Sequence, residues 1–187
     1  MTWEPPEPLS LTCQLPSDGW NTATSVLLSP SKSALIGDDE AIEQLRELSE
    51  DDPEFAVANS FISRASEMKE DYDTALDAQV KRSQSQGSSP ETIGTMRSKY
   101  AAQGWPGVLR FIVDLPEGPE KSQIGGGAVH LAAMYCRLGE FEKAYEALEK
   151  GFKQRNAWMI HLGRDPRFDS MRNDARFTEL LARIGLK

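Results

Sequence analysis

The chain has 187 residues, with 29 Asp and Glu against 21 Lys and Arg, for a net charge of −8. That length holds one domain, or a short array of repeated units, with a buried core. The acidic balance excludes general nucleic-acid binding, which uses cations to neutralise phosphates. No run of about 18 or more apolar residues occurs, so no membrane span is expected.

Residues 1–37 contain Pro5, Pro6, Pro8, Pro16 and Pro30 interspersed with serines. This mixture neither propagates a helix nor buries much surface, so irregular chain is expected there. Trp3 and Trp20 are the exceptions, because their rings prefer to be covered. Trp3, Glu4, Pro5 and Pro6 stand where an export signal needs basic and then apolar residues. A reducing cytoplasm with free thiols at Cys13 and Cys136 is therefore expected.

From Asp38 onward the pattern is helical. Ala41, Ile42, Leu45 and Leu48 share one face of a helix over 38–50. Asp52 and Pro53 read as the cap and first position of the next helix, whose stripe is Phe55, Ala58, Ile62 and Ala65. A weakly apolar helix is predicted from Tyr72 to Ser85. Ser89 and Pro90 open another, which ends at Gly104. Trp105 and Pro106 open a short apolar helix through Val113. Val108–Leu115 also fits a buried strand by periodicity alone. Pro116, Gly118 and Pro119 predict a loop. Two strongly amphipathic helices, 127–138 and 141–153, meet at Gly139.

Catalytic and metal chemistry finds few candidates. Cys136 reads as a small core residue. His130, six residues earlier, points to a different helix face, since six residues turn a helix by about 240° net. Two Cys and two His, with no CxxC or HxxxH pair, are too few for a zinc cluster. Gly125, Gly126 and Gly127 lack the preceding strand and following Lys-Ser/Thr of a phosphate loop, and read as a flexible helix start. Carboxylate runs such as Asp38, Asp39 and Glu40 are ordinary at helix N-termini. No catalytic residue, cofactor or metal site is expected, and the chain reads as a non-enzyme.

The helices come in pairs with a period. Ala41 and Ala75 are 34 residues apart, Leu109 follows after another 34, and Ala144 after 35. In 125–158, Leu131, Ala132, Tyr135, Gly139, Phe141, Ala144 and Leu148 alternate small and large positions across one helix pair. These residues and this period resemble the tetratricopeptide repeat family over about 38–187. The tail adds Asp165, Pro166, Arg167, Phe168, Asp169, Met171 and Arg172, then Asp174, Arg176, Phe177, Leu180, Leu181, Gly185 and Leu186. It resembles the C-terminal cap of many bacterial arrays of that family, with Ala175 in place of a proline. In it, each Asp can cap a short helix and each Phe can plug the end of the array.

The resemblance implies an all-α solenoid of antiparallel helix pairs. Its parts would be an irregular segment or degraded first helix over 1–37, helix pairs over 38–158, and capping helices over 159–187. It also implies a concave groove lined by the first helix of each pair, where a protein or peptide partner would bind. The projected groove residues are Ser60, Arg64, Glu67, Met68, Ser98, Ala133 and Arg137. Taken singly, Arg64, Glu67 and Arg137 also read as ordinary solvated surface residues. Ser60 and Arg64 stand where the carboxylate-clamp version has Lys and Asn, so a chaperone-tail receptor is not implied.

The expected function is thus a non-enzymatic binding scaffold. The alternative is a structural or self-associating module whose groove residues 1–37 cover, a remnant of a larger regulator. Residues 1–90 carry 17 acids and 6 bases, whereas residues 150–187 carry 4 acids and 9 bases. That asymmetry predicts a salt-sensitive head-to-tail contact or steering of a basic partner.

Overall fold

A computed structural model describes residues 39–51 and 56–186. The expectations for 1–37, for the helix near 22–36, and for Asp52, Pro53 and Phe55 fall outside the described residues. Within them the protein is all-α, with eight α-helices and two 3-10 helices. The helices are α1 (Asp39–Asp51), α2 (Ala56–Met68), α3 (Tyr72–Ser85), α4 (Pro90–Asp114), α5 (Pro119–Gly125), α6 (Ala128–Arg137), α7 (Phe141–Lys153) and α8 (Ala175–Arg183). The 3-10 helices, Ala157–His161 and Pro166–Met171, lie between α7 and α8. No helix among these residues is long and apolar enough to cross a membrane.

Local chemistry sets the boundaries. The Asp71 carboxylate accepts from the Thr74 amide, and the Ser89 hydroxyl accepts from the Thr92 amide with Pro90 at the first helical position. α4 is two helices joined at Gly104, whose φ of 64° and ψ of −159° no helix accommodates. The expected break between an upstream helix and one opened by Trp105 and Pro106 therefore stands. The ambiguous Val108–Leu115 stretch is helical through Asp114, and Leu115 caps it. The predicted loop around Pro119 is instead the start of α5, with Gly118 as cap and Pro119 at the first position.

Consecutive helices pack in pairs: α1 on α2, α2 on α3, α6 on α7. Three buried clusters result. The first joins Leu45 of α1 to Ala58, Phe61 and Ile62 of α2. The second gathers Leu76, Val80, Met96, Trp105, Ile112 and Ile124 from α3, α4 and α5. The third holds Ala132, Leu148, Leu162, Phe168, Phe177 and Leu180 from α6, α7 and the C-terminal segment. Burying each such side chain contributes roughly 1.5–3 kcal/mol before entropy is charged against it.

The C-terminal segment follows the expected cap chemistry. Asp165 accepts from the Arg167 amide and Asp174 from the Arg176 amide. Phe168 and Phe177 are fully buried, with ring centroids 6.0 Å apart. α8 also pairs with α7 at a constant offset. Arg176 bonds Glu142, and Arg183 bonds Glu149, each across 34 residues. Cys136 and Ser170 meet at 3.2 Å across the same interval.

Candidate functional site

The groove positions projected from the sequence divide into two groups. Ser98 on α4 is exposed, as are its neighbours Glu91, Gly94, Ala101 and Ala102. Arg137 at the end of α6 is also exposed, whereas Ser60 and Met68 are half-buried. Arg64, Glu67 and Ala133 are buried at 7%, 5% and 1% exposure. For Arg64 and Glu67 the solvated-surface reading is therefore corrected. They sit in an interior polar cluster because the C-terminal segment folds back over α2.

Trp158, on the first 3-10 helix, joins the α1–α2 side of the protein to its C-terminal segment. It packs against both the α1–α2 cluster and the C-terminal cluster. Its ring lies 5.5 Å from Phe61 and 5.4 Å from His130, centroid to centroid. The Arg64 guanidinium stands 5.4 Å over the same ring, a cation–π contact. Arg64 Nη2 donates to Asp165 Oδ2 at 3.3 Å, bridging 101 residues of chain. Arg167 holds the same carboxylate through Nη2 at 2.6 Å and through Nε at 3.0 Å. The Arg172 guanidinium adds a bond to the Asp165 carbonyl at 3.2 Å.

Arg64 Nη1 lies 3.2 Å from His130 Nε2. A guanidinium only donates, so Nε2 must accept, and His130 is neutral with its proton on Nδ1. Burial pushes the His130 pKa well below its ordinary value, and the charges of Arg64, Arg167 and Arg82 push the same way. Burial and the neighbouring Arg167 lower Arg64 to about 9. Burial raises Asp165, but Arg167 and Arg64 outweigh it and hold the carboxylate below its usual range. Burial likewise raises the Cys136 thiol, consistent with the expected core role.

Arg82 of α3 enters the cluster from the other side. Its Nη1 donates to the Ile124 carbonyl at 2.7 Å and its Nη2 to the Gln123 carbonyl. These carbonyls belong to the last turn of α5, where the helix dipole favours a cation. Gln79 Nε2 bonds the Ile124 carbonyl as well, at 3.1 Å. Gly126 follows with φ of 73°, and a Cβ there would come within 3.2 Å of His130 Cγ and 3.3 Å of Arg82 Nη2. Gly126 is thus the close-packed point of the glycine triplet against His130 and Arg82.

Arg64, Glu67, Gln79, Arg82 and His130 line a small cavity of about 30 Å³ between α2, α3, α4, α6 and the second 3-10 helix, walled also by Trp105, Ala133 and Arg167. Sequence reading did not select Arg82, His130, Trp158, Asp165 or Arg167 for this site. For Arg167 a signal existed, since it lies 34 residues beyond Ala133. A larger open cleft, about 420 Å³, runs between α1, α2 and α3. Its walls mix Glu43, Glu47 and Asp77 with Arg46 and Lys81, surface charges of both signs. Among the described residues no group of three or more His, Cys, Asp or Glu is placed to hold a metal ion. No family model, no curated protein and no solved structure matches the chain.

Proposed function

We propose that the protein is a non-enzymatic scaffold of tetratricopeptide type that binds a protein or peptide partner. One observation carries this reading: helix pairs follow one another in sequence, and contacts between the last two units recur at a 34-residue offset. That offset is the length of one such unit. The exposed projected positions, Ser98 and Arg137, and the half-buried Ser60 and Met68 offer the partner contacts. Arg64, Glu67 and Ala133 form the support beneath them. A cytoplasmic setting fits this reading.

The test is affinity capture on the full chain beside a Ser98→Arg variant and a control, Glu146→Arg on α7. Partners retained by the wild type and the control but lost with Ser98→Arg support the reading. Identical captures from all three proteins reject that surface.

A second reading has its own support. The covering of the groove by residues 1–37 falls outside the described residues, but the Arg64–Asp165 contact joins α2 to the C-terminal segment, so the chain closes on itself there. The head-to-tail variant of that module needs free charge at the basic end. Arg176 and Arg183 there are engaged by Glu142 and Glu149 of the same chain. Light scattering across a salt series separates the cases: a salt-sensitive dimer supports self-association, and a monomer throughout rejects it.

A further inference from the structure

We propose that the interior cavity beside Arg64, Arg82 and Trp105 binds a small protic oxyanion, of the hydrogenphosphate and bicarbonate class.

The first argument is charge. Arg64, Arg82 and Arg167 are buried at 7%, 7% and 6% exposure, whereas the buried carboxylates are Glu67 and Asp165. Asp165 is shared by Arg64 and Arg167. Glu67 is engaged from outside the cavity by Arg137, at 3.4 Å. Arg82 pairs with no carboxylate among the described residues; its bonds go to backbone carbonyls. With His130 neutral, the interior holds one guanidinium more than its carboxylates balance. A buried charge without a counterion is costly, and an anion in the cavity removes the imbalance.

The second argument is hydrogen bonding. Arg64 Nε and Trp105 Nε1 are buried without a hydrogen-bond partner, Glu67 Oε1 has only the 3.4 Å ion-pair contact from Arg137 Nε, and all three residues line this cavity. Arg64 Nε and Trp105 Nε1 can only donate, whereas the Nδ1 proton of His130 is directed to the Gly126 backbone. Glu67 Oε1, in contrast, is an acceptor that the long Arg137 contact leaves open to a closer donor. A halide or sulfate would accept from the donors and leave Glu67 facing a bare anion. Water would satisfy both kinds of group and leave the surplus charge. An oxyanion carrying a proton accepts from Arg64 and Trp105 and donates its hydroxyl to Glu67.

The third argument is size. A single water needs ~10–15 Å³ of such space. The cavity offers about 30 Å³, the space of roughly two or three waters, which restricts the ligand to the smallest oxyanions and favours bicarbonate over the bulkier phosphate. The cavity shares Ser60 with the proposed partner surface but neither Ser98 nor Arg137, and the anion titration uses no peptide, so the two readings fail separately.

The experiment titrates the full chain with inorganic phosphate and, in a separate arm, with bicarbonate, each at constant ionic strength. Sulfate and chloride serve as aprotic controls. Thermal midpoint and the emission of the tryptophans are the readouts. A saturable rise with phosphate or bicarbonate, at least tenfold weaker with sulfate and chloride, is expected, and the two arms identify the source. Trp105→Phe keeps the ring and removes one donor, so its apparent Kd should rise several-fold, up to about tenfold. Arg82→Met should abolish the saturable response. If that variant does not fold, Trp105→Phe carries the test. No saturable response to either oxyanion, an equal response to sulfate or chloride, or an unchanged Kd in Trp105→Phe would overturn the proposal.

Discussion

Arg64 on α2 and Asp165 ahead of the second 3-10 helix meet at 3.3 Å inside the protein, although 101 residues of chain separate them. Asp165 also receives Arg167, so two buried cations share one carboxylate. Removing its charge leaves both unpaired. Asp165→Asn keeps an oxygen to accept from the Arg167 amide, which isolates the electrostatic loss from the capping loss. A destabilisation of about 3–5 kcal/mol in urea unfolding is expected. Asp174→Asn makes the same change at a solvent-facing cap and should shift the midpoint far less. Equal shifts in the two variants would refute the assignment.

Stability should fall on mild acidification. The folded His130 pKa is depressed below its unfolded value of about 6.5. The neutral form therefore contributes stability that is fully present above about pH 6.5 and lost as pH falls below it. The groups facing the ring are Arg64, Arg82 and Arg167, all cationic, so protonation adds a fourth positive charge. His161 is shifted in the same direction by burial and Arg64. A thermal midpoint profile from pH 5 to 8 should slope downward toward acid in the wild type. His130→Gln should flatten most of that slope, and His161→Gln should flatten the smaller part.

The C-terminal segment is held more by its rings than by its ion pairs. Phe177 is fully buried against Phe168, and Phe177→Ala should cost about 3–5 kcal/mol. The Arg176–Glu142 and Arg183–Glu149 pairs are solvent-exposed and screened. Glu142→Gln with Glu149→Gln should lower the melting temperature by less than Phe177→Ala. Raising salt to about 0.5 M should erase the double variant's effect and leave the phenylalanine effect intact.

Gly104 separates the two halves of α4 through its backbone. A Cβ built there meets only Pro106 Cδ, at 3.9 Å, so space is not the constraint. The constraint is the φ of 64° and ψ of −159°, which side chains tolerate poorly. Gly104→Ala should cost about 1–3 kcal/mol. Differential scanning calorimetry would check this, and an unchanged midpoint would mean that the break tolerates an ordinary residue.

Sequence patterns were most informative where the cause of structure is local. Tyr72 to Ser85 is bounded as expected, because Asp71 supplies a cap that needs no distant partner. The joint at Gly104 and the caps at Asp165 and Asp174 are legible for the same reason. Pro119 misled because a proline beside Gly118 signals a loop and a helix start equally well. The interior of Arg64 and Glu67 was not legible. Helical periodicity places them on a flank of α2, but their burial depends on Trp158 and Asp165 returning from about 100 residues downstream. Pairing between distant polar residues leaves no periodic trace. The exposed Ser98 face of α4 follows from the same closure, which covers α2 and α6 and leaves α4's first half uncovered.

The contact between Arg64 and Asp165 has a consequence for length. An open stack of helices can gain or lose a pair with little effect beyond the neighbours. Here α2 touches the segment ahead of the second 3-10 helix, so the helices between them must span a set distance. One more pair of helices between α3 and α6 would part Arg64 from Asp165 and withdraw Trp158 from Phe61. One fewer would drive them together. The closing contact therefore fixes the number of helices between Arg64 and Asp165, much as the last stone fixes the span of an arch.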